Sequence, residues 1–203
     1  MNISQQDRER ISAAIHAAEA KTSGEIVCVL AQSSSDATAL PVLIAALAAL
    51  ALPWLLVALT TMSVHRILLL QVVAFFALVV LLCLPRVRVA LVPRAARRAV
   101  AHRVAMEQFY IRGIPRKKDR SGILIFVSLA ERYARIIADD GIAARVPRSE
   151  WQGAIDALIA HAGDGRIADG FIAAIGMCGA VLATHFPQTG TSRDELPDRI
   201  YVI

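Results

Sequence analysis

The sequence predicts an α/β domain that is interrupted by a pair of membrane-spanning helices. The interruption is indicated by two runs, residues 37–64 and 67–84, that contain no Asp, Glu, Lys or Arg. The α/β domain is indicated on both sides of these runs, where apolar stripes at helical spacing alternate with short apolar runs typical of strands. We therefore expect one discontinuous domain of residues 1–36 and 94–203, with a transmembrane hairpin at residues 37–85.

The first elements are a helix and a strand. Ser4 with Asp7 resembles a capping box, which predicts that the helix begins at Ser4. The apolar stripe of this helix comprises Ile11, Ala14, Ile15 and Ala18. Gly24 follows as a stop signal. Glu25–Leu30 is a short apolar run that predicts the first strand.

The two uncharged runs predict transmembrane helices at Leu40–Met62 and Ile67–Leu84. About 20 apolar residues are needed to cross a hydrocarbon core of roughly 30 Å, so the first run is long enough and the second is near the lower limit. Only Ser63–Arg66 separates the two runs, which suits a tight turn at the far side of the membrane. A buried hairpin in the core of a soluble protein is the alternative.

Arginines indicate how the hairpin is oriented. Residues 86–120 contain eleven Lys or Arg against two acidic residues, a balance of +9, whereas the turn between the spans offers only Arg66. By the positive-inside rule, both termini are expected in the cytoplasm of a bacterial cell, with the hairpin in its inner membrane. The cluster is also predicted to contact anionic lipid head groups through Arg86, Arg88, Arg94, Arg97 and Arg98. Because it lacks interleaved aromatic residues and a recognisable binding module, we expect no nucleic-acid partner.

The three cysteines, Cys28, Cys83 and Cys178, are far apart in the chain and form no Cys-x-x-Cys pair. Isolated cysteines of a cytoplasmic domain are expected to be reduced and buried. We predict no disulfide and no metal role for them.

The chain after the hairpin predicts a helix and two paired strands. Arg94–Ile111 has helical periodicity. Its expected apolar face comprises Ala95, Ala99, Met106, Phe109 and Tyr110. Gly122–Ser128 is a continuous apolar run typical of a central strand. Tyr133–Ala138 is expected to pair with it as a hairpin that ends sharply at Asp139–Gly141.

Two helices and an edge strand are predicted to complete the domain. The first helix covers Ser149–Ala162 with Ser149 as its N-cap, and the second covers Ile167–His185. The second helix is apolar on nearly every face, so a third membrane span is the alternative to a core helix. Its glycines and Asp169 leave a short lipid-compatible stretch, which favours the core helix. Ile200–Ile203 is predicted to dock as an edge strand.

Several segments together resemble the TPM-domain family. They are Thr22–Val27, Ser121–Ser128, Glu131–Arg132, Ile136–Gly141, the helix that contains Trp151, Gly163–Gly165 and the last apolar helix. The resemblance covers residues 4–30 and about 106–186, and the hairpin between them resembles a bacterial membrane subgroup of that family. It implies a Rossmann-like open α/β sandwich. Some members are described as acid phosphatases or calcium binders and others as non-catalytic assembly or repair factors, so the fold implies no single activity.

Asp139 and Asp140, at the end of a predicted strand, are the best candidate site. Ligands of open α/β sheets bind at the carboxyl ends of strands. Two adjacent carboxylates, with Asp119 as a third oxygen donor, would suit Ca²⁺. An ordinary Asp-Gly turn is the alternative. Glu25 is a candidate for catalysis, for binding backbone or for pairing with a nearby Arg, and Glu131–Arg132 is predicted to be a solvated turn.

The sequence contains no P-loop, His-Glu-x-x-His, Gly-x-Ser-x-Gly or Cys-x5-Arg motif, and we predict no catalytic residue. The leading hypothesis is a non-catalytic interaction or assembly module at the cytoplasmic face of the membrane. Its expected partners are the lipid bilayer and other membrane or membrane-proximal proteins, and its oligomeric state stays open. The rival hypothesis is a metal-assisted acid phosphatase, which needs a metal-bound water and charge to stabilise the transferring group.

Overall fold

The computed structural model describes residues 3–34, 39–84, 87, 93–116, 120–188 and 196–203. Within these residues lie four β-strands, seven α-helices and two short 3-10 helices. The chain divides into two compact units, one of Met1–Ser34 with Ala99–Ile203 and the other of Ser35–Arg98. In chain order the elements are α1 (Gln5–Glu19), β1 (Glu25–Ala31), α2 (Ala39–Leu59), α3 (Val64–Cys83), α4 (Arg94–Ile111), β2 (Gly122–Ser128), β3 (Tyr133–Ala138), α5 (Asp140–Ala143), α6 (Gln152–Gly163), α7 (Ile167–His185) and β4 (Ile200–Val202). The 3-10 helices are Ile114–Arg116 and Arg148–Trp151.

The first unit is built on a four-stranded sheet in the order β3-β2-β1-β4. β1 is parallel to both β2 and β4, whereas β3 is antiparallel to β2, so the sheet is mixed. In the parallel register Glu25 pairs with Gly122 and Ala31 pairs with Ser128. Every residue of β1 and β2 is buried, as expected of central strands covered on both faces.

Helices cover both faces of this sheet. On one face, α1, α6 and α7 bury a large apolar cluster that includes Ile15, Leu158, Phe171 and Ile175. On the other face, α4 contributes Ala105 and Phe109 to a smaller cluster. Because burying a large apolar side chain contributes roughly 1.5–3 kcal/mol, the larger cluster is the main source of stability of this unit. The chain is therefore a mixed α/β protein.

The predicted elements of this unit are largely confirmed. The backbone N–H of Asp7 donates to Ser4 Oγ at 3.1 Å, and the Ser4 hydroxyl donates to Asp7 Oδ2 at 2.7 Å, so Ser4 caps α1 as predicted. The bounds of α4 and α7 agree with the prediction, and those of the four strands agree to within one residue. Cys28 and Cys178 are buried free thiols, and burial raises the pKa of Cys178 to about 12. Cys83 is only half-buried, so the prediction of burial is wrong for it.

The predicted end of β3 is confirmed, and one predicted helix start is wrong. β3 ends at Ala138, and Asp139 then caps α5 with an extended backbone (φ −67°, ψ 162°) and a side chain that accepts from the N–H of Asp140. Ser149 is not an N-cap, since it lies inside the 3-10 helix that leads into α6. In both places a short helical turn occupies residues expected to be a loop or a cap.

The predicted apolar face of α4 is confirmed at Phe109 but not at Ala95, Ala99 or Tyr110, which are exposed. The buried residues of this helix are Ala101, Ala105 and Phe109, spaced by four residues. Tyr110, expected on the buried face, is 61% exposed. Side chains four residues apart share a helix face, so the buried face that contains Phe109 runs through Ala101 and Ala105 and leaves Tyr110 outside it.

The second unit contains α2 and α3, which pack against each other. Most of their large apolar side chains are exposed, and Trp54 is 83% exposed. By length and composition three helices are able to cross a membrane: α2 from Pro41, α3 and α7. Of the 18-residue apolar stretch in each helix, 11% is buried in α2, 6% in α3 and 44% in α7. These values separate α7, which buries nine residues, from the two exposed helices.

Candidate functional site

Polar side chains gather at two opposite ends of the sheet. We call the end where β1 and β2 finish and β3 begins the carboxyl end; its polar residues are Ser33, Ser34, Ser128 and Glu131. We call the opposite end, where β1 and β2 begin and β3 finishes, the amino end; its residues are Glu25, Gly122 and Asp139.

Glu131 is the centre of the carboxyl end. Its carboxylate is buried and accepts from the N–H of Ser34 at 3.0 Å, from the Ser33 hydroxyl at 3.3 Å and from the Ser128 hydroxyl. The Ser34 hydroxyl in turn donates to Ser128 Oγ at 2.8 Å. A carboxylate that accepts several bonds is stabilised in its charged form and holds its donors in place. Glu131 thus ties the segment after β1 to the end of β2, and the prediction of a solvated turn is wrong for it.

A cleft of about 440 Å³ opens beside this network. Its walls come from the end of β2, the turn into β3 and the second half of α6, and include Ser128, Arg132, Tyr133, Leu158 and Ile159. Ligand sites of open α/β sheets lie at this end of parallel strands. The volume is within the range of ordinary ligand pockets, about 300–1,000 Å³. Sequence reasoning missed this cleft, because the residues that line it come from segments that look like ordinary strand, turn and helix.

Asp139 and Asp140 lie at the amino end. Because β3 is antiparallel, its carboxyl end lies beside the start of β2, where the N–H of Asp139 donates to the carbonyl of Gly122 at 3.0 Å. The argument from carboxyl ends of parallel strands therefore does not apply to this pair. Glu25 and Asp139 flank Gly122 in register, so two buried acidic residues lie on either side of a residue without a side chain.

The two aspartates occupy different environments. Asp139 is buried, its Oδ1 accepts from the N–H of Asp140 at 2.7 Å, and its Oδ2 has no hydrogen-bond partner among the described residues. The Asp140 side chain is exposed and accepts from Arg120 at 2.8 Å. Asp119, the third predicted oxygen donor, lies outside the described residues. In the described part of the chain no three His, Cys, Asp or Glu side chains are grouped to hold a metal, and the calcium site stays a prediction.

An acidic cluster also lies near the amino end, between α1, β1 and the segment before β4. Glu19 Oε1 accepts from the N–H of Ile26 at 2.6 Å, and the Glu19 carboxyl is hydrogen-bonded to Asp198. Asp198 Oδ2 lies 3.0 Å from His16 Nδ1. Burial raises the pKa of Glu19 to about 9, against the bond from Ile26, and the nearby Asp198 and Glu25 raise it further. Glu25 lines a small pocket of about 160 Å³ with Glu19, and its proposed catalytic role stays untested.

Three of the five arginines predicted to contact lipid are among the described residues. Arg86 and Arg88 are outside the described residues. Arg94 and Arg98 are exposed in the first turns of α4, and Arg97 is half-buried there. These three belong to the same compact unit as α2 and α3.

The sheet covered on both faces, with polar residues at both of its ends, defines the class of protein as a mixed α/β domain. Residues 85–181 match the TPM domain, so the predicted resemblance to the TPM-domain family is confirmed. The match covers the second segment of the resemblance as far as residue 181 and does not include residues 4–30.

A solved structure is similar in fold. It is the NMR structure of the BA42 protein from the psychrophilic bacterium Bizionia argentinensis, with a TM-score of 0.63 and 19% sequence identity. The similarity covers 100% of this chain and 97% of that chain. At 19% sequence identity the similarity indicates a shared fold and does not indicate a shared activity. A search of the curated proteins finds no match.

Proposed function

We propose that the protein is a membrane-anchored TPM-type module that binds or assembles other membrane or membrane-proximal proteins at the cytoplasmic face. In this proposal a Rossmann-like α/β core is interrupted by a hairpin that spans the membrane twice. Both termini of the chain lie in the cytoplasm, and the module itself catalyses no reaction.

The observation that carries the proposal is the outward apolar surface of α2 and α3. Both helices are long enough to span a membrane. Only 11% of the 18-residue apolar stretch of α2 is buried, and only 6% of that of α3. An apolar surface of this size is costly in water, because each buried square ångström of apolar surface is worth about 25 cal/mol. Lipid removes that cost, and the arginines that follow α3 favour a cytoplasmic exit.

The non-catalytic part of the proposal is supported by how the carboxylates are used. Glu131 accepts from three serine groups, and Asp140 pairs with Arg120. Asp139 caps a helix. Each of these groups has a structural task that explains its position without a substrate.

One observation favours the rival, a metal-assisted phosphatase. Asp139 Oδ2 is a buried carboxylate oxygen without a hydrogen-bond donor among the described residues. Hard divalent cations such as Ca²⁺ bind oxygen ligands of this kind. Asp139 would be the first ligand of such an ion, and the ion would supply charge at a phosphate ester.

Activity and metal binding are tested with the purified full chain in detergent. The proposal expects no cleavage of an aryl phosphate, with or without Ca²⁺. Cleavage that Asp139→Asn abolishes, and that the exposed control Asp140→Asn retains, would overturn it in favour of the phosphatase. A calcium-dependent rise in melting temperature that is lost in Asp139→Asn, without cleavage, would establish a structural metal site only.

The anchoring and binding parts are tested in cells. The chain should stay with the membrane after alkaline carbonate extraction, and crosslinking in membranes should join it to specific partners. Release of the chain by carbonate would remove the anchor from the proposal.

A further inference from the structure

The cleft at the carboxyl end of the sheet has one wall that is charged and one that is apolar. Arg132 lies at the charged side, and its side chain is exposed. Leu158, Ile159 and Ala162 of α6 form the apolar side, where Ile159 is 51% exposed. A half-open cleft with this pairing suits a ligand that is apolar along its length and negatively charged at one end.

Arg132 occupies a backbone position that normally belongs to glycine. Its φ is +49°, in the left-handed region, and its N–H donates to the carbonyl of Leu129 at 3.2 Å in the turn between β2 and β3. Hairpin turns of this kind place glycine in the left-handed position. Arginine is disfavoured in this backbone conformation, which indicates that its side chain has a functional role.

Within the described part of the chain, no carboxylate forms an ion pair with Arg132. The described ion pairs use other arginines, Arg10, Arg120 and Arg166. The adjacent carboxylate, Glu131, is turned inward to its three serine donors. The guanidinium, with its fork of N–H groups, is therefore available to a carboxylate from outside.

β3 offers hydrogen-bonding groups next to the same cleft. It is the last strand on its side of the sheet, and Asp139 N bonds inward to Gly122. Because inward and outward bonding alternate along an antiparallel strand, the N–H and C=O groups of Ala134, Ile136 and Ala138 point away from β2. Among the described residues no strand pairs with this side of β3, so an extended chain could add there.

We infer that the cleft between β3 and α6 binds the carboxyl-terminal segment of a partner polypeptide. The segment's terminal carboxylate pairs with Arg132, its apolar side chains lie against Leu158 and Ile159, and its backbone adds to the outer side of β3. This inference rests on the proposed function, since it names the class of partner that the module binds.

The test measures binding of defined peptides to the full chain in detergent. The probe is a fluorescein-labelled pool of short peptides whose last three positions are randomised among apolar residues, made both as free acids and as carboxyl-terminal amides. We expect the free acids to saturate below about 1 mM and the amides to bind about tenfold more weakly. Equal binding of acids and amides, or no saturation by either, would overturn the inference.

The variant Arg132→Gly tests whether Arg132 binds the terminal carboxylate of the peptide. It should reduce binding of the free acids about tenfold, leave the amides unchanged, and keep or raise the melting temperature, since glycine suits φ +49°. The matched control is Arg120→Gly, which removes the same charge from a residue with φ +46° at the opposite end of the sheet. Equal losses in both variants would mean a general charge effect and would contradict a site at Arg132.

Two further experiments distinguish a failure of this inference from a failure of the proposed function. Direct binding of a free fatty acid of similar length, with no binding of the peptides, would assign the cleft to a lipid and overturn the inference. If membrane crosslinking yields the same partners for Arg132→Gly as for the unchanged chain, the partners bind elsewhere. The inference then fails while the proposed interaction function stands.

Discussion

Glu19 is a carboxyl group that the fold holds in its protonated form at neutral pH. It is partly enclosed at the end of α1, where burial raises its pKa to about 9 despite the bond that it accepts from the N–H of Ile26. A protonated Glu19 can donate to Asp198, so two acidic groups share one proton instead of repelling each other. This pair joins α1 to the segment that precedes β4.

We expect Glu19→Gln to abolish a loss of stability at alkaline pH. The pKa of Glu19 rises from 4.5 to about 9 on folding, so stability from this group is complete below about pH 4.5 and is lost as pH rises towards 9. Glutamine keeps an oxygen for the N–H of Ile26 and an N–H for Asp198 but cannot ionise. The variant should equal the unchanged chain below about pH 4.5 and exceed it by up to about 4–5 kcal/mol at pH 8, at about 1.4 kcal/mol per pH unit.

The measurement is chemical denaturation followed by Trp151 fluorescence. Trp151 is buried in the first unit. Because the chain has two tryptophans, Trp54→Phe makes Trp151 the single reporter. Glu9→Gln, at an exposed position of the same helix, should leave the pH profile unchanged. Parallel pH profiles for Glu19→Gln and the unchanged chain would show that Glu19 does not hold its proton in the fold.

Glu131 is the residue whose loss should damage the carboxyl end of the sheet most. Glu131→Ala leaves the Ser128 hydroxyl and the N–H of Ser34 without their acceptor in a buried place. Unsatisfied buried donors predict a loss of about 2–4 kcal/mol. Glu131→Gln keeps an acceptor oxygen and should lose less. Glu107→Ala, at an exposed carboxylate, should stay within about 0.5 kcal/mol of the unchanged chain. A loss no larger than that of Glu107→Ala would contradict the structural task assigned to Glu131.

At the scale of elements, α1 and α7 are in tight contact at Gly179. A Cβ atom added to Gly179 would lie 2.8 Å from the Cβ of Ala18, which is too close for any real pair. A Cβ added to Gly176, one turn earlier on the same helix, would meet nothing within 4 Å. The two glycines thus have the same helical setting and different packing.

Alanine at these two glycines should change stability in opposite directions. In a helix interior alanine is favoured over glycine by about 1 kcal/mol, so Gly176→Ala should stabilise by up to that amount. Gly179→Ala gains the same propensity but forces the helices apart, a cost of about 1–3 kcal/mol. Denaturation followed by Trp151 should separate the variants by at least about 1 kcal/mol. Equal effects would mean that α1 and α7 are not in close contact at this point.

Elements that depend on local signals were predictable from the sequence, and those that depend on packing were not. Ser4 caps α1 and Gly122–Ser128 forms a strand, as their own local signals predict. The two uncharged runs are helical, at Ala39–Leu59 and Val64–Cys83, each within three residues of its predicted bounds. The buried face of α4 runs through Ala101, Ala105 and Phe109, and which face of a helix is buried depends on what packs against it, which periodicity does not encode.

The place of the candidate site in the sheet likewise depends on strand pairing. The sequence predicts Asp139 and Asp140 at the end of a strand, and the antiparallel direction of β3 puts that end at the amino end of the sheet. The network of Glu131 joins residues about one hundred positions apart in the chain, Ser33 and Ser34 with Ser128. Such a juxtaposition arises from the parallel pairing of β1 with β2, and spacing along the sequence gives no signal of it.

At the scale of the whole molecule, α2 and α3 come within the chain of the α/β unit and not before or after it. β1 comes before α2 and pairs in parallel with β2, which comes after α3. Parallel pairing of these two strands requires both to be on the same side of any membrane that α2 and α3 cross. A chain that spans twice satisfies this condition, since an even number of crossings returns the chain to the side from which it left.

Labelling of introduced cysteines tests this topology and counts the spans. In a background with Cys83→Ser, the remaining Cys28 and Cys178 are buried, so a membrane-impermeant maleimide should react only at new sites. Ser63→Cys, in the exposed turn between α2 and α3, should react in intact cells, whereas Ser149→Cys and Gln188→Cys should react only after permeabilisation. The last two positions flank α7, so they serve as controls for each other: a third crossing by α7 would make only one of them reactive in intact cells. Reaction of Ser149→Cys in intact cells, with Ser63→Cys protected, would instead reverse the orientation that the arginines after α3 predict.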